Sequence, residues 1–228
     1  MKPLILFKEV PEEIISKYWA RAYTYETPFY SIMNKSLMRK EYKEYEIYIK
    51  LLYKGLALNS YRPKFYSTLN RGTKLEISEI DYLKSIAGTN QIIYNRSFLS
   101  SSLNKEKSIQ FESNCIRDDG SSGEGGGSSC IIANPPKKGE TKSLSVLIEL
   151  YNISENERDE YMISNALLYD ISYFTKEEEV LIFPFTGFEV IDWETTTFEY
   201  NNKKTEGTCF YFKFSQSYYD KIKEKYDE

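Results

Sequence analysis

The chain of 228 residues contains no histidine. That absence excludes the nucleophilic arrangements that rest on imidazole, Ser-His-Asp and Cys-His, and any zinc site with imidazole ligands. Cysteine is scarce. The three cysteines, at 115, 130 and 209, are too few and too scattered for a structural zinc site. Cys115 and Cys130 bracket a loop and could be bridged in an oxidising compartment; with Cys209 left over, a reduced interior is the simpler expectation. Long apolar runs are missing as well. No stretch approaches the ~20 apolar residues of a membrane span. The opening MKPLILFKEVPEE has one short apolar patch, broken by Lys8 and Glu9, without the length or small-residue cleavage site of a secretory signal. Charge of one sign is modest: the net value of −4 argues against a nucleic-acid partner.

What is present is an ordinary globular composition, 41% hydrophobic and 28% charged, with abundant tyrosine (21). The length fits one large domain, or a core with a smaller helical lobe. Residues 1–60 read as a helical lobe. PEEIISKYWARAY has Pro11 at a helix start and Ile14, Ile15, Tyr18, Trp19 and Ala22 at helical spacing. FYSIMNKSLM reads as a second helix, and RKEYKEYEIYIKLLYKGLAL carries Tyr45, Tyr48, Ile49, Leu52 and Leu56 on one core-packing stripe.

Residues 61–228 read as a β-rich core integrated with that lobe. KFYSTLNRGTKL is β-like, SEIDYLKSI is a short helix with Ser78 and Asp81 paired as a capping box, and NQIIYNRSFLSSS is one strand ending in hydroxyls. LNKEKSIQF reads as a helix, and 117–129 as a flexible insertion without the Gly-x-x-x-x-Gly-Lys pattern of a phosphate cradle. SLSVLIELYN, EVLIFPF, FEVIDWETTTFEY and GTCFYFKFS follow as strands, with NNKKTEG as a hairpin turn and QSYYDKIKEKY as a closing helix. Helices first and strands afterwards give the α+β class.

Three segments carry candidate chemistry. In FTKEEEVLIFPF, three acids abut a buried-type strand, and alternation along a strand sets Glu177 and Glu179 on one face with Glu178 on the other. This is either a paired-carboxylate site or a solvated strand entrance. Arg71, followed by Gly72, is either a surface charge or a phosphate ligand. Ser100, Ser101 and Ser102 are either a helix cap or part of a site.

Taken in order, these segments resemble the arginine-specific mono-ADP-ribosyltransferases of the R-S-E group, and EEEVLIFPFTGFEV resembles the ecto-enzyme type most. The likeness rests on Arg71-Gly72, on Phe98-Leu99-Ser100-Ser101-Ser102, and on Glu177-Glu178-Glu179 before Val180-Leu181-Ile182, and spans roughly residues 20 to 200. It departs at Ser101, where the group has threonine, and at Asn70, where an aromatic is common. The resemblance implies N-terminal helices packed on two mainly antiparallel sheets around an NAD cleft. It implies NAD as a consumed substrate without a metal, ADP-ribose passed to an arginine of a target protein, and nicotinamide released.

On that resemblance Glu179 holds the ribose, Glu177 meets the incoming arginine, Arg71 pairs with an NAD phosphate and Ser100 orients Glu179. Gly72 receives the nicotinamide amide through its backbone. Phe111 stacks on nicotinamide or is a core aromatic; Tyr173 and Phe174 face the target protein or are packing residues. The alternatives are an NAD glycohydrolase with water as acceptor, and an inactive binding module. A monomer is expected, acting in the cytoplasm or as an effector translocated into a host cell.

Overall fold

Pro11 opens the first helix, where its missing N–H costs nothing, and its carbonyl accepts from the N–H groups of Ile14 and Ile15. The structure is a computed structural model describing residues 11–25, 28–59, 68–114, 143–151, 165–168, 171–173, 178–200 and 203–215. The insertion at 117–129, Cys115, Cys130 and the expected C-terminal helix lie outside them. Helices α1 (Glu12–Thr24), α2 (Pro28–Arg39) and α3 (Glu46–Asn59) come first, with a 3₁₀ turn, Lys43–Tyr45, before α3. Then follow β1 (Leu69–Glu76), α4 (Ile77–Ile86), β2 (Ile92–Tyr94), β3 (Leu99–Ser102), α5 (Lys105–Asn114), β4 (Ser143–Tyr151), β5 (Asn165–Leu167), β6 (Glu179–Ile182), β7 (Gly187–Tyr200) and β8 (Lys203–Phe214).

The class is α+β, as expected, but the strands form one sheet rather than two. Their order is β2-β7-β8-β4-β1-β3-β6-β5, antiparallel except for the parallel neighbours β4 and β8. The two-sheet expectation is corrected because β1 bonds on both sides: along its whole length to β4, and to β3 through Asn70↔Ser102. Strand β6 lies between two hydrophobic clusters. Val180 and Ile182 join Leu99, Phe188 and the α4 residues Ile80, Leu83 and Ile86; Leu181 and Phe183 join Phe98 and the buried residues of α1, α2 and α3. A strand buried on both faces has to read as a continuous apolar run, and VLIF does.

Several local expectations change. The stripe on α1 is not Ile14, Tyr18 and Ala22, which are exposed; Ser16, Ala20 and Tyr23 are buried. A Cβ on Gly55 of α3 would lie 2.1 Å from the Ser16 carbonyl oxygen, so the two helices cross backbone to backbone and small residues face the crossing. The capping box of α4 is Glu76 with Glu79, not Ser78 with Asp81, because the helix starts at Ile77; the Ser78 hydroxyl is buried without a partner. Residues 91–102 form two strands. Asn95 divides them: wholly buried, it donates to the carbonyls of Ser97 (2.7 Å) and Phe183 (2.8 Å) and accepts from the Thr186 N–H (2.8 Å). The NNKKTEG segment is mostly strand, since pairing continues from Tyr200↔Lys203 through Thr196↔Gly207. Strand β5 was not expected from sequence.

Candidate active site

Arg71, Ser100 and Glu179 come from three strands that are direct neighbours, β1, β3 and β6. Ser102 is the register partner of both Asn70 and Glu179, which brings the beginning of β6 and the first half of β1 to one level of the sheet. Ser100 links the other two residues. Its carbonyl accepts from Arg71 Nη1 at 2.5 Å, and its hydroxyl donates to Glu179 Oε1 at 2.7 Å. Arg71 and Glu179 are half-buried and Ser100 is exposed. A carboxylate fixed by a hydroxyl at a core edge is preorganised to stabilise positive charge, and a guanidinium nearby suits an anionic group such as phosphate.

The three serine hydroxyls have different surroundings. Ser100 turns to Glu179. Ser101 is buried, with its hydroxyl unpaired. Ser102 accepts from the Asn104 N–H at 3.0 Å, and Asn104 caps α5 by accepting from the N–H groups of Glu106 and Lys107. One hydroxyl serves the candidate site and another serves the turn into the helix.

The extended backbone of β6 starts at Glu179. Glu178 has φ +48, in the left-handed region that non-glycine residues rarely adopt, and β6 begins only after it. Its carbonyl accepts from the Leu103 N–H (3.2 Å), while the Glu179 carbonyl accepts from the Leu168 N–H (2.9 Å), so the turn is pinned on both sides. The period-two rule assumes extended backbone, and one left-handed residue breaks it. Glu177 and Phe174 lie outside the described residues, as does the side chain of Phe111, whose backbone is in α5. Gly72 is half-buried in β1 opposite Leu147. Tyr173 is exposed and does not lie in a core; its ring meets Tyr25.

Two supporting residues escaped the sequence reading. Asn34 of α2 accepts from the Phe98 N–H (3.2 Å) and donates to the Tyr23 hydroxyl (2.8 Å), tying the serine strand to the helices. Asn95 holds the other end of that passage, and its signal was present: Asn, Arg and Ser in succession mark a break inside an apolar run. Among the described residues no group of three or more His, Cys, Asp or Glu could hold a metal ion, and no helix is long and apolar enough to cross a membrane.

No family model matches the sequence, and no curated protein matches it. Solved structures do. The ADP-ribosyltransferase Vis of Vibrio splendidus superposes with a TM-score of 0.57 at 17% identity, over 88% of this chain and 72% of that one. Plx2a, an ADP-ribosyltransferase toxin from Paenibacillus larvae, gives 0.53 at 16%, over 88% and 86%. The enzymatic component C2-I of the C2-toxin from Clostridium botulinum gives 0.55 at 15%; it is matched over 90% of this chain but only 44% of that one. The chain therefore has the ADP-ribosyltransferase fold.

Proposed function

We propose that this chain is a mono-ADP-ribosyltransferase that moves ADP-ribose from NAD to an arginine of a target protein and releases nicotinamide. The observation that carries the reading is the bonded sequence Arg71–Ser100–Glu179 across three adjacent strands of this fold. Breaking the bond between ribose and a cationic pyridinium develops oxocarbenium character on the sugar, as in glycoside hydrolysis. Glu179 faces that charge, which exists only in the transition state, where fixed electrostatics are most productive. Ser100 holds the carboxylate in place, and Arg71 takes a phosphate of the dinucleotide. Gly72 receives the nicotinamide amide, and Phe111 stacks on the nicotinamide ring.

Glu177 orients the acceptor. A guanidinium is protonated at neutral pH, with a pKa above ~12, and attack requires it to be turned toward the sugar and relieved of a proton. The reading of a guanidine acceptor is supported by the resemblance at Glu177-Glu178-Glu179 and by the neighbour Vis, which has been crystallised with agmatine. The neighbours are toxins, which supports an effector acting on host proteins. A second reading, NAD glycohydrolase, uses the same residues with water as acceptor.

Incubation with NAD, with and without agmatine, separates the two: ADP-ribosyl-agmatine is the transferase product and free ADP-ribose the hydrolase product. For Glu177→Gln, transfer to agmatine is expected to fall at least tenfold while hydrolysis largely survives. Parallel loss of both activities would count against a separate role for Glu177.

A further inference from the structure

Helix α5 leaves β3 after two residues but packs on the other part of the sheet. Its Ile109 rests against Leu147, Phe198 and Cys209, which belong to β4, β7 and β8. Strand β1 lies between, meeting β4 along its whole length and β3 through the register pair Asn70↔Ser102. Arg71 and Glu179 stand on opposite sides of that narrow junction, so their separation depends on what holds β1 against β3. Two side chains of α5 do so. The buried Ser108 hydroxyl donates to the Asn70 carbonyl at 2.8 Å. The Lys105 ammonium donates to Glu149 Oε1 at 2.5 Å, and Glu149 is the register partner of Asn70 on β4. The start of the helix is fixed to β3, since the Asn104 N–H donates to Ser102 Oγ (3.0 Å) and the Asn104 carbonyl accepts from the Ser108 N–H (3.2 Å). A closed circuit thus runs from Ser102 through Asn104 and Ser108 to Asn70, and back across the register pair. A buried serine inside a helix lowers helix propensity and costs free energy unless its hydroxyl is bonded. Here the bond goes to the residue beside Arg71.

We propose that Ser108 and Lys105 are positioning residues that make α5 a brace setting the distance between Arg71 and Glu179; this rests on the reading above, in which both hold one NAD. The phosphate end of the dinucleotide is taken on one side of the junction and the reacting ribose on the other. With the brace released, Arg71 still takes the phosphate and NAD still binds, but the ribose is no longer held against the Glu179 carboxylate. A misplacement of about 1 Å at the reacting atoms costs on the order of 100-fold in rate, whereas binding of the unreacted dinucleotide tolerates it. The brace therefore acts on kcat more than on NAD affinity.

The test measures nicotinamide release from NAD with saturating agmatine. For Ser108→Ala, kcat is expected to fall about tenfold or more while the KM for NAD stays within about threefold of wild type. Lys105→Met, at an exposed position, shows a fall of the same kind; it carries the test if Ser108→Ala lowers the melting temperature. Arg71→Leu supplies a readout that a merely structural role would not move. With the phosphate partner gone the span has nothing to set, so adding Ser108→Ala should change kcat/KM by less than about twofold. Unchanged kcat in either variant, a loss carried by KM alone, or the full loss repeated in the Arg71→Leu background would overturn the brace and leave the transferase reading standing. A wild type that releases no nicotinamide, with agmatine or without, would overturn that reading, and the brace with it.

Discussion

At the scale of single residues, Ser100 is economical: its main chain engages Arg71 and its side chain engages Glu179. The Ser100 hydroxyl can donate to an amide oxygen as well as to a carboxylate, so Glu179→Gln keeps the shape and the hydrogen bond and removes the charge. Nicotinamide release is predicted to fall roughly 100-fold or more in kcat, the scale of one lost transition-state contact, with NAD affinity by calorimetry changed only a few-fold. Near-normal turnover would refute the assignment. Cys209 offers a second residue-level prediction. It is buried beside Leu147 and Phe198, and burial, with a smaller contribution from the Glu149 charge, pushes its thiol up to about 11. An unfolded thiol titrates near ~8.5. Between those values the folded chain keeps a proton that the unfolded chain has released, so stability falls as pH rises. Thermal melts from pH 8 to 11 should therefore decline less steeply in Cys209→Ala than in wild type; parallel curves would show that the thiol contributes nothing.

At the scale of elements, the crossing of α1 and α3 reverses an ordinary rule. Gly→Ala in a helix interior normally stabilises by up to about 1 kcal/mol. Here the added Cβ would meet backbone, the Ser16 carbonyl oxygen at 2.1 Å and its carbon at 2.6 Å, neither of which can swing aside. Gly55→Ala is predicted to destabilise by about 1–3 kcal/mol, the cost of overpacking, as a fall in melting temperature; a rise would mean the helices are not so close. The same crossing shows what sequence could and could not disclose. The α3 stripe was legible because Leu52 and Leu56 do enter the core. The α1 stripe was misjudged because periodicity favours large apolar residues, whereas a close crossing selects Ser16 and Ala20. Strand β6 and the long β7–β8 pair were legible from their runs, but β5 has three residues and no run to show. The candidate site was legible as motifs: Arg71, Ser100 and Glu179 are close together, although 108 positions separate the first from the last. The left-handed backbone of Glu178 was not legible, because a positive φ at a non-glycine residue leaves no trace in composition.

At the scale of the whole molecule, the sheet has a narrow waist. The strands β2-β7-β8-β4-β1 form one side and β3-β6-β5 the other, joined through the register pair Asn70↔Ser102 and the Arg71–Ser100 hydrogen bond. The candidate residues lie along that waist, so on the proposed reading NAD bridges the two sides and should couple them. The measurement belongs in Glu179→Gln, where turnover does not consume the ligand. At one hundred times its dissociation constant, NAD should stabilise the fold by about 2.7 kcal/mol, raising the melting temperature and slowing amide exchange in β1 and β3 together. Adding Arg71→Leu removes the phosphate partner and one of the links across the waist. At the same NAD concentration the thermal shift should then shrink to a small fraction, and exchange in β3 should no longer follow that in β1. If NAD protected only one side of the sheet, or if the shift survived the loss of Arg71, the dinucleotide would not lie across the waist, and the three residues would be neighbours without a shared ligand.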